Sequence, residues 1–342
     1  MNLRIVRPVL ALAILVTTAL PLMAHAQYKV LNTYTVGNDG GWDYLTADST
    51  ARRLYVARSG PQGALYVYSL DTFAQVGKID GVNGHGAVID DSNHHGFATS
   101  NPVTMFDADT LKVIKTIDTG GRPDGFLLDP VAHRAYILSH AVPNVTVLNT
   151  ADGSIVGKLD LGGEPEQSQL DGHGHMYTNL EDKDAIAVID TNSLKVINRY
   201  DISSKGGGCA GLAMDTKNGI LFASCRDKHN MIILNAADGK VLDVLPSGVG
   251  SDGVSFNPKT MEAFSTQGDG TLTIVKENSP TSFAVEQTVA TPPGARTNTL
   301  DLKTGHLITV TSAFGPLPPP QPGKRTRAPM LPGTFKIIVI GK

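Results

Sequence analysis

Short apolar runs alternate with polar turns along almost the whole chain after residue 26, and the 3.6-residue period of an amphipathic helix is not sustained there. The unit at residues 124–160 shows the pattern most clearly. Its four runs, rich in β-branched and aromatic residues and separated by Gly, Asn, Asp and Pro, are residues 124–129, 134–139, 144–149 and 154–160. Such runs are typical of short strands joined by tight turns. The pattern predicts four antiparallel strands in this unit.

This four-strand unit recurs seven times, and each copy ends its first strand with Asp or Asn. These seven marker residues are Asp48, Asp90, Asp129, Asp171, Asp215, Asn257 and Asp301. Their spacings are 42, 39, 42, 44, 42 and 44 residues. A period of about 40–45 residues with four strands per repeat is the signature of a propeller. The sequence therefore predicts an all-β fold, a seven-bladed β-propeller of four-stranded antiparallel blades.

The last unit is incomplete, because only Gly341 and Lys342 follow its third run at residues 335–340. At the other end of the chain, residues 28–36 precede the first unit and belong to no complete blade. We expect this N-terminal strand to complete the last blade, which closes the ring and covers two sheet edges that would otherwise be exposed. Closed β architectures of this length fold as one unit, so residues 27–342 are predicted to form a single domain.

Residues 1–26 have the pattern of a secretory signal peptide. Arg4 and Arg7 precede an apolar run at residues 9–22, and Ala24-His25-Ala26 forms a small-x-small cleavage site before Gln27. The apolar run is about 14 residues long, short of the roughly 20 that a membrane span needs. The sequence predicts a periplasmic or secreted protein with no membrane span after cleavage.

Composition and charge narrow the functional classes. Apolar residues make up 41% of the chain, enough for a sizeable core, which excludes overall disorder. The leader carries two positive charges and no negative ones, so its removal changes the formal charge from −3 to −5. Without a strong basic field, a dedicated nucleic-acid partner is not expected. We expect a monomer.

Several strand motifs resemble a known family. The second strands contain Tyr-Val-Ala-Arg at residues 55–58 and Tyr-Thr-Asn-Leu at residues 177–180, and a third strand contains Ala-Val-Ile-Asp at residues 187–190. Over residues 28–342 the chain resembles the YVTN-repeat, or YncE-like, seven-bladed propellers of exported bacterial proteins. The resemblance implies the propeller fold and export. It implies no particular activity, because the family is a scaffold with poorly defined functions.

The residues five positions before the markers are predicted to surround the mouth of the central channel, where the innermost strand of each blade begins. They are Asp43, His85, Asp124, Glu166, Ala210, Asp252 and Arg296, of which only Ala210 is not ionisable. Trp42 precedes Asp43 and either stacks on a ligand or packs between blades 1 and 7. The spacing predicts a ligand-binding ring made of Trp42 and the six ionisable residues.

Three interpretations of this ring remain open. Its side chains could cap strand ends and bind loop backbone, as Asp often does in turns. They could bind a small polar or cationic ligand. They could hold a divalent metal, either Ca²⁺ through carboxylate oxygens or a transition metal through His85, Asp124 and Glu166. No pair of these residues has a recognised motif spacing, so the sequence does not decide among the three.

The loops between second and third strands open on the same face. Their polar residues, which could equally be solvated turn residues, are His140, Asn179, Glu181, Asp182, Asp184, Arg226, Asp227, His229 and Asp269. In blade 7 the corresponding segment, residues 313–334, is long and rich in proline, with the basic residues Lys324, Arg325 and Arg327. It is predicted to be a lid, a partner-docking arm or a mobile insert.

The only two cysteines of the chain, Cys209 and Cys225, are predicted to form a disulfide. Each lies eight residues from Lys217 at the centre of a predicted hairpin turn, which places them opposite one another. Export would place them in an oxidising compartment. The alternative is a pair of reduced thiols that could bind a soft metal such as Cu(I).

Common catalytic motifs are absent from the sequence: there is no Gly-x-Ser-x-Gly, Walker loop, His-Glu-x-x-His or Cys-x-x-Cys-His. The first hypothesis is therefore an exported scaffold that binds a small polar ligand or another exported protein without catalysis. The alternative is a propeller enzyme, a lactonase-like hydrolase or a lyase, that uses a metal and the carboxylates of the ring.

Overall fold

The computed structural model describes residue 1 and residues 26–61, 63–319 and 328–342. Within these residues, 28 strands form seven four-stranded antiparallel sheets, which confirms the predicted seven-bladed β-propeller. Most of the predicted leader and the three basic residues of the blade 7 segment lie outside the described residues. Among the described residues, no helix has the length and hydropathy needed to cross a bilayer.

Seven blades follow one another along the chain, each built from inner to outer strand, and strand β1 (Lys29–Thr35) joins the last of them. Blade 1 consists of β2 (Gly41–Asp48), β3 (Arg53–Ser59), β4 (Ala64–Ser69) and β5 (Gln75–Asp80). Blade 2 consists of β6 (Gly84–Asp90), β7 (His95–Ser100), β8 (Val103–Asp107) and β9 (Val113–Ile117). Blade 3 consists of β10 (Pro123–Asp129), β11 (Arg134–Ser139), β12 (Val145–Asn149) and β13 (Ile155–Leu159).

The remaining four blades repeat this order. Blade 4 consists of β14 (Pro165–Leu170), β15 (His175–Leu180), β16 (Ala185–Asp190) and β17 (Lys195–Asp201). Blade 5 consists of β18 (Cys209–Asp215), β19 (Ile220–Cys225), β20 (Asn230–Asn235) and β21 (Val241–Pro246). Blade 6 consists of β22 (Ser251–Asn257), β23 (Glu262–Gln267), β24 (Thr271–Ser279) and β25 (Ser282–Ala290). Blade 7 consists of β26 (Asn298–Asp301), β27 (His306–Thr311), β28 (Lys336–Gly341) and β1.

The N-terminal strand closes the ring as predicted. β1 pairs antiparallel with β28, from Lys29 opposite Gly341 to Thr35 opposite Lys336. The buried Tyr28 fixes its start, because the Tyr28 hydroxyl donates a 2.5 Å hydrogen bond to Glu262 Oε2 in blade 6. Blade 7 therefore has the same four-stranded sheet as the other blades although its strands come from both ends of the chain.

The marker residues cap the turns between first and second strands. Asp48 Oδ1, for example, accepts hydrogen bonds from the backbone amides of Thr50 at 3.0 Å and Ala51 at 2.8 Å. Each of the other six markers accepts a bond from the amide two residues ahead: Asp90, Asp129, Asp171, Asp215, Asn257 and Asp301. The repeat signature is thus a turn signature.

Side chains connect the inner strands of neighbouring blades, which belong to different sheets. Gln167 Oε1 in blade 4 accepts bonds from Leu212 N at 3.0 Å and Val254 N at 2.9 Å, in blades 5 and 6. In blade 7, Asn298 Nδ2 donates to Gly253 O at 2.8 Å. Trp42 lies in the apolar core between blades 1 and 7, with its ring centroid 5.4 Å from that of Phe335. Trp42 thus has the packing role, one of its two predicted alternatives.

The predicted disulfide between Cys209 and Cys225 is present, but the register that places it there differs from the predicted one. The ladder of β18 and β19 pairs Gly211 with Ser224, so the hairpin is centred one half-residue beyond Lys217. In that register alone Cys209 would miss Cys225 by one position. A β-bulge at Ala210 restores the offset and brings the two cysteines opposite each other.

Candidate functional site

β-bulges position the ring residues of blades 1–6 at the inner strand ends. In blade 1 the register shifts between Trp42 and Leu45, around Asp43. The corresponding shifts enclose His85, Asp124, Glu166, Ala210 and Asp252. A bulge removes a residue from ladder pairing and re-aims its side chain. Five ionisable ring residues are positioned in this way, and the sixth, Arg296, precedes β26 and joins them by pairing with Asp252. The six lie in one network that crosses the blades, and we call this the channel mouth.

One half of the channel mouth is built around two histidines. His85 Nδ1 forms a 2.8 Å hydrogen bond with Asp43 Oδ2 and lies 3.1 Å from Asp124 Oδ1. On the other side of the same carboxylate, His140 Nε2 lies 3.2 Å from Asp124 Oδ2. We call Asp43, His85, Asp124 and His140 the histidine half. Its central carboxylate, Asp124, has only 10% of its side chain exposed.

The other half is an ion-pair network around two arginines. Arg226 Nη1 donates to Glu181 Oε2 at 2.6 Å, and Arg226 Nη2 donates to Asp252 Oδ1. The guanidinium occupies the blade 5 sector, where the ring residue is alanine, and also lies 3.8 Å from Glu166 Oε1. Arg296 pairs with the second oxygen of Asp252. We call Glu166, Glu181, Arg226, Asp252 and Arg296 the arginine half.

A tyrosine joins blade 1 to this network. The buried Tyr44 donates a 2.7 Å hydrogen bond from its hydroxyl to Glu166 Oε2, across the channel from blade 1 to blade 4. Its neighbour in the sequence, Asp43, points to His85 instead, because the bulge turns the two residues toward different partners. Sequence reasoning missed Tyr44, since the ring spacing selects only one residue per blade.

Burial and mutual repulsion shift the proton affinities of the mouth carboxylates. Burial raises the pKa of Asp124 to about 6; nearby Asp43 and Asp252 add to the rise, and His85 opposes it. Burial together with Asp252 and Glu181 holds the pKa of the Glu166 carboxyl well above its usual range. The site therefore favours the neutral, protonated form of Asp124 and Glu166 more than water does.

The cationic side chains show the complementary effect. The hydrogen bond to Asp43 raises the pKa of His85 despite burial. Burial alone would lower the pKa of Arg226, but the carboxylates around it, Asp252 first, hold that pKa above its usual value. Both groups therefore favour their charged form in this site.

The structure decides one of the three interpretations of the ring, that of backbone capping. Within the described residues, Asp43, Glu166 and Asp252 bond to side chains of other blades, and no ring carboxylate accepts a bond from a backbone amide as the markers do. The backbone-capping interpretation is therefore wrong for the ring. It holds for several loop residues: Asp182 accepts a bond from Glu164 N at 2.7 Å and Asp184 one from Gly208 N at 2.9 Å.

Three further loop residues belong to the site: His140, Glu181 and Arg226 were predicted only as polar residues on the same face. The signal that could have found them is their common position after the second strands of blades 3, 4 and 5. Two groups of side chains place possible metal-ligating atoms within 4.8 Å of one another: Asp43, His85 and Asp124, and His140, Glu164 and Glu181. In the first, Asp43 takes the place expected for Glu166.

No protein-family model and no curated protein sequence matches the chain. A chain in the crystal structure of the mitotic checkpoint complex aligns with 90% of this chain and 96% of its own length, at 13% identity and a TM-score of 0.71. The RRP9 WD40 repeats align with 92% of this chain and 97% of theirs, at 11% identity and a TM-score of 0.71. The structure of U3-55K aligns with 91% of this chain and 98% of its own, at 12% identity and a TM-score of 0.68. At these identities the likeness shows the propeller fold alone.

Proposed function

We propose that this protein is an exported binding propeller that captures a ligand carrying positive charge at the channel mouth. One observation carries the proposal: the mouth contains more carboxylates than cationic groups. The carboxylates are Asp43, Asp124, Glu166, Glu181 and Asp252, and the guanidiniums are those of Arg226 and Arg296. Even with both histidines protonated, the carboxylates still outnumber the cationic groups.

The two carboxylates that have no arginine partner in the part of the chain that the structure describes lie in the histidine half. Arg226 and Arg296 are engaged by Asp252, Glu166 and Glu181, so they stabilise the arginine half and leave Asp43 and Asp124 with histidine partners only. His85 is 41% exposed and opens this half to solvent. A cation entering there would neutralise carboxylates that are already held in place, at little cost in side-chain ordering.

Two sequence features support export. The leader pattern of residues 1–26 predicts transport to the periplasm or the exterior. The disulfide between Cys209 and Cys225 is of a kind that persists in oxidising compartments and is rare in the cytosol. Export, together with the resemblance to YncE-like propellers, makes a periplasmic or secreted binding protein the most consistent assignment.

The second candidate function is an enzyme, a hydrolase or lyase acting at the same mouth. The observation that favours it is the His85–Asp43 pair, in which a carboxylate holds Nδ1 at 2.8 Å and leaves Nε2 available as a base. Its discriminating test is proton abstraction or hydrolysis that is lost in His85→Gln.

The binding proposal is tested with the mature protein and the double variant Asp124→Asn/Glu166→Gln. Thermal shift and calorimetry with spermidine, choline and divalent metal ions should show binding of at least one cation by the unmodified chain. The double variant should fold and lose that binding. The matched control is Asp91→Asn/Asp109→Asn, which replaces two exposed carboxyls on the turn side with amides. Absence of cation binding by the unmodified protein, or equal loss in the control, would contradict the proposal.

A further inference from the structure

Two carboxylates of the histidine half converge on a single ring nitrogen. His85 Nδ1 lies 2.8 Å from Asp43 Oδ2 and 3.1 Å from Asp124 Oδ1, and the ligand atoms of the three side chains lie within 4.8 Å of one another. Neighbouring ligands of a tetrahedral ion with bonds of about 2.1 Å are about 3.4 Å apart. A movement of a few tenths of an ångström would therefore suit three ligands around one ion.

A second, independent observation concerns polar atoms that lack partners. The Asp124 carboxylate is nine-tenths buried, and its contacts at 3.1 Å and 3.2 Å to the two histidines lack hydrogen-bond geometry. His140 Nε2 is buried and forms no hydrogen bond within the described part of the chain. Buried polar atoms are normally satisfied, and an ion is one of the accepted reasons for an apparent exception. Asp124 Oδ1 faces His85 inside the three-residue cluster, whereas His140 Nε2 lies against Oδ2, the other oxygen of the same carboxylate.

We infer that Asp43, His85 and Asp124 form a site for a divalent first-row transition-metal ion. The ion would take the place of the proton on His85 Nδ1, which would leave to solvent. One imidazole nitrogen with two carboxylate oxygens suits Zn²⁺ or Mn²⁺, whereas Ca²⁺ takes oxygen ligands. The exposed part of His85 leaves the remaining coordination positions open to the channel.

His140 has the place of a positioning residue in this site. Its Nε2 lies 3.2 Å from the Asp124 oxygen that does not face His85 and 3.7 Å from Glu166 Oε1, so a small rotation of the ring would let an Nε2–H donate to Asp124 and hold that carboxylate in its ligating orientation. Outer partners of this kind typically contribute 10–100-fold to metal affinity. Loss of His140 should therefore weaken the site without abolishing it.

This inference deepens the proposed function and rests on it, because it names the cation that the mouth binds. The two can fail separately. Binding of spermidine or choline at the mouth without binding of any metal would leave the proposed function intact and refute the metal site. Absence of binding by every cation would refute both.

The experiment uses tag-free, chelator-stripped mature protein and isothermal titration with Zn²⁺, Mn²⁺ and Ca²⁺. We expect one equivalent of Zn²⁺ or Mn²⁺ to bind in preference to Ca²⁺, and X-ray absorption of the loaded protein to show a mixed nitrogen and oxygen shell. His85→Gln and Asp43→Asn should each remove binding, and His140→Gln should reduce affinity about tenfold or more.

The matched control is His94→Gln. His94 also pairs with an aspartate, since its Nδ1 lies 3.2 Å from Asp109 Oδ2, but this pair is exposed and lies on the turn side. The control should bind metal as the unmodified protein does. Substoichiometric binding, preference for Ca²⁺, or unchanged affinity in folded His85→Gln and Asp43→Asn would overturn the inference. Circular dichroism and melting temperature establish that each variant is folded.

Discussion

In six of the seven blades, ionisable or amide side chains lie at or beside both ends of the inner strand, and the two ends use them differently. At the turn end, a marker such as Asp48 accepts backbone amide bonds from its own hairpin, and all seven blades repeat this arrangement. At the channel mouth, Asp43 pairs with His85 of the next blade and Glu166 with Tyr44 across the channel. The turn end therefore stabilises each blade locally, whereas the mouth has a charge pattern that exists only in the assembled ring.

Two markers also bind a neighbouring blade. Asp90 of blade 2 accepts a 2.5 Å hydrogen bond from the hydroxyl of Thr150 in blade 3. Asp301, the marker of blade 7, caps its own turn and also receives both 2.8 Å bonds from Arg52 Nη1 in blade 1. It therefore ties the last blade to the first at the turn end. This residue and the N-terminal strand make ring closure a property that can be tested apart from ligand binding.

The largest loss of stability is expected from deletion of residues 28–36, which removes strand β1 and leaves the ring open. Without β1, strand β28 becomes an open edge, and the buried Tyr28 no longer covers the core between blades 6 and 7. The loss should be comparable with the whole free energy of unfolding of an ordinary domain, about 5–15 kcal/mol. Urea denaturation of the deleted chain and of the mature chain from residue 27 measures it. Equal midpoints would refute the role of β1 in closure.

The next effect concerns the turn end alone. Asp301→Ala removes the buried partner of Arg52, which among the described residues keeps only its exposed partner Asp71, and should cost about 1.5–3 kcal/mol beyond the loss of the turn bonds. The control Asp129→Ala removes a marker that accepts only the amides of Val131 and Ala132, and should cost about 1–3 kcal/mol. Neither change should alter cation binding at the mouth. A folded Asp301→Ala protein that has lost binding would break the division between the two ends.

The sequence predicted the turn end better than the mouth, and the reason is physical. The amides that a marker caps lie within a few residues of it, so the capping role repeats with the period of the chain. The partners of the mouth, such as Tyr44 and Glu166 or Arg226 and Asp252, come from different blades, and no single repeat contains their geometry.

The β-bulges were the main structural feature that the pattern did not indicate. A bulge turns one side chain without changing the spacing of the markers, as at Asp43. The disulfide shows the consequence: the prediction of Cys209 opposite Cys225 is confirmed, but it rested on a register that was wrong by one residue and that the bulge at Ala210 corrected.

The smallest expected effect is on the pH dependence of stability. A mouth carboxylate and a turn-end carboxylate should change it in opposite directions. Because burial raises the pKa of Asp124 to about 6 from the usual 3.8, the folded protein binds this proton more tightly than the unfolded chain does. The free energy of unfolding should therefore fall as pH rises from about 4 through about 6. In Asp124→Asn the free energy of unfolding should no longer decrease over this pH range. The melting temperature at neutral pH should therefore rise, by about 2–4 °C for each kcal/mol of stability gained.

Asp90 at the turn end is the matched control. Burial would raise the pKa of Asp90, but bonds from Ser92 and Thr150 outweigh it and hold the pKa below its usual value. The ionised group therefore stabilises the fold at neutral pH, and this contribution is lost as pH falls through the lowered pKa. Asp90→Asn should lower the melting temperature at neutral pH and lose this effect in acid. The measurement is a set of melting curves from pH 3 to 8 for the metal-free unmodified protein, Asp124→Asn and Asp90→Asn. If the melting temperatures of both variants shift in the same direction at neutral pH, the two ends use their carboxylates alike.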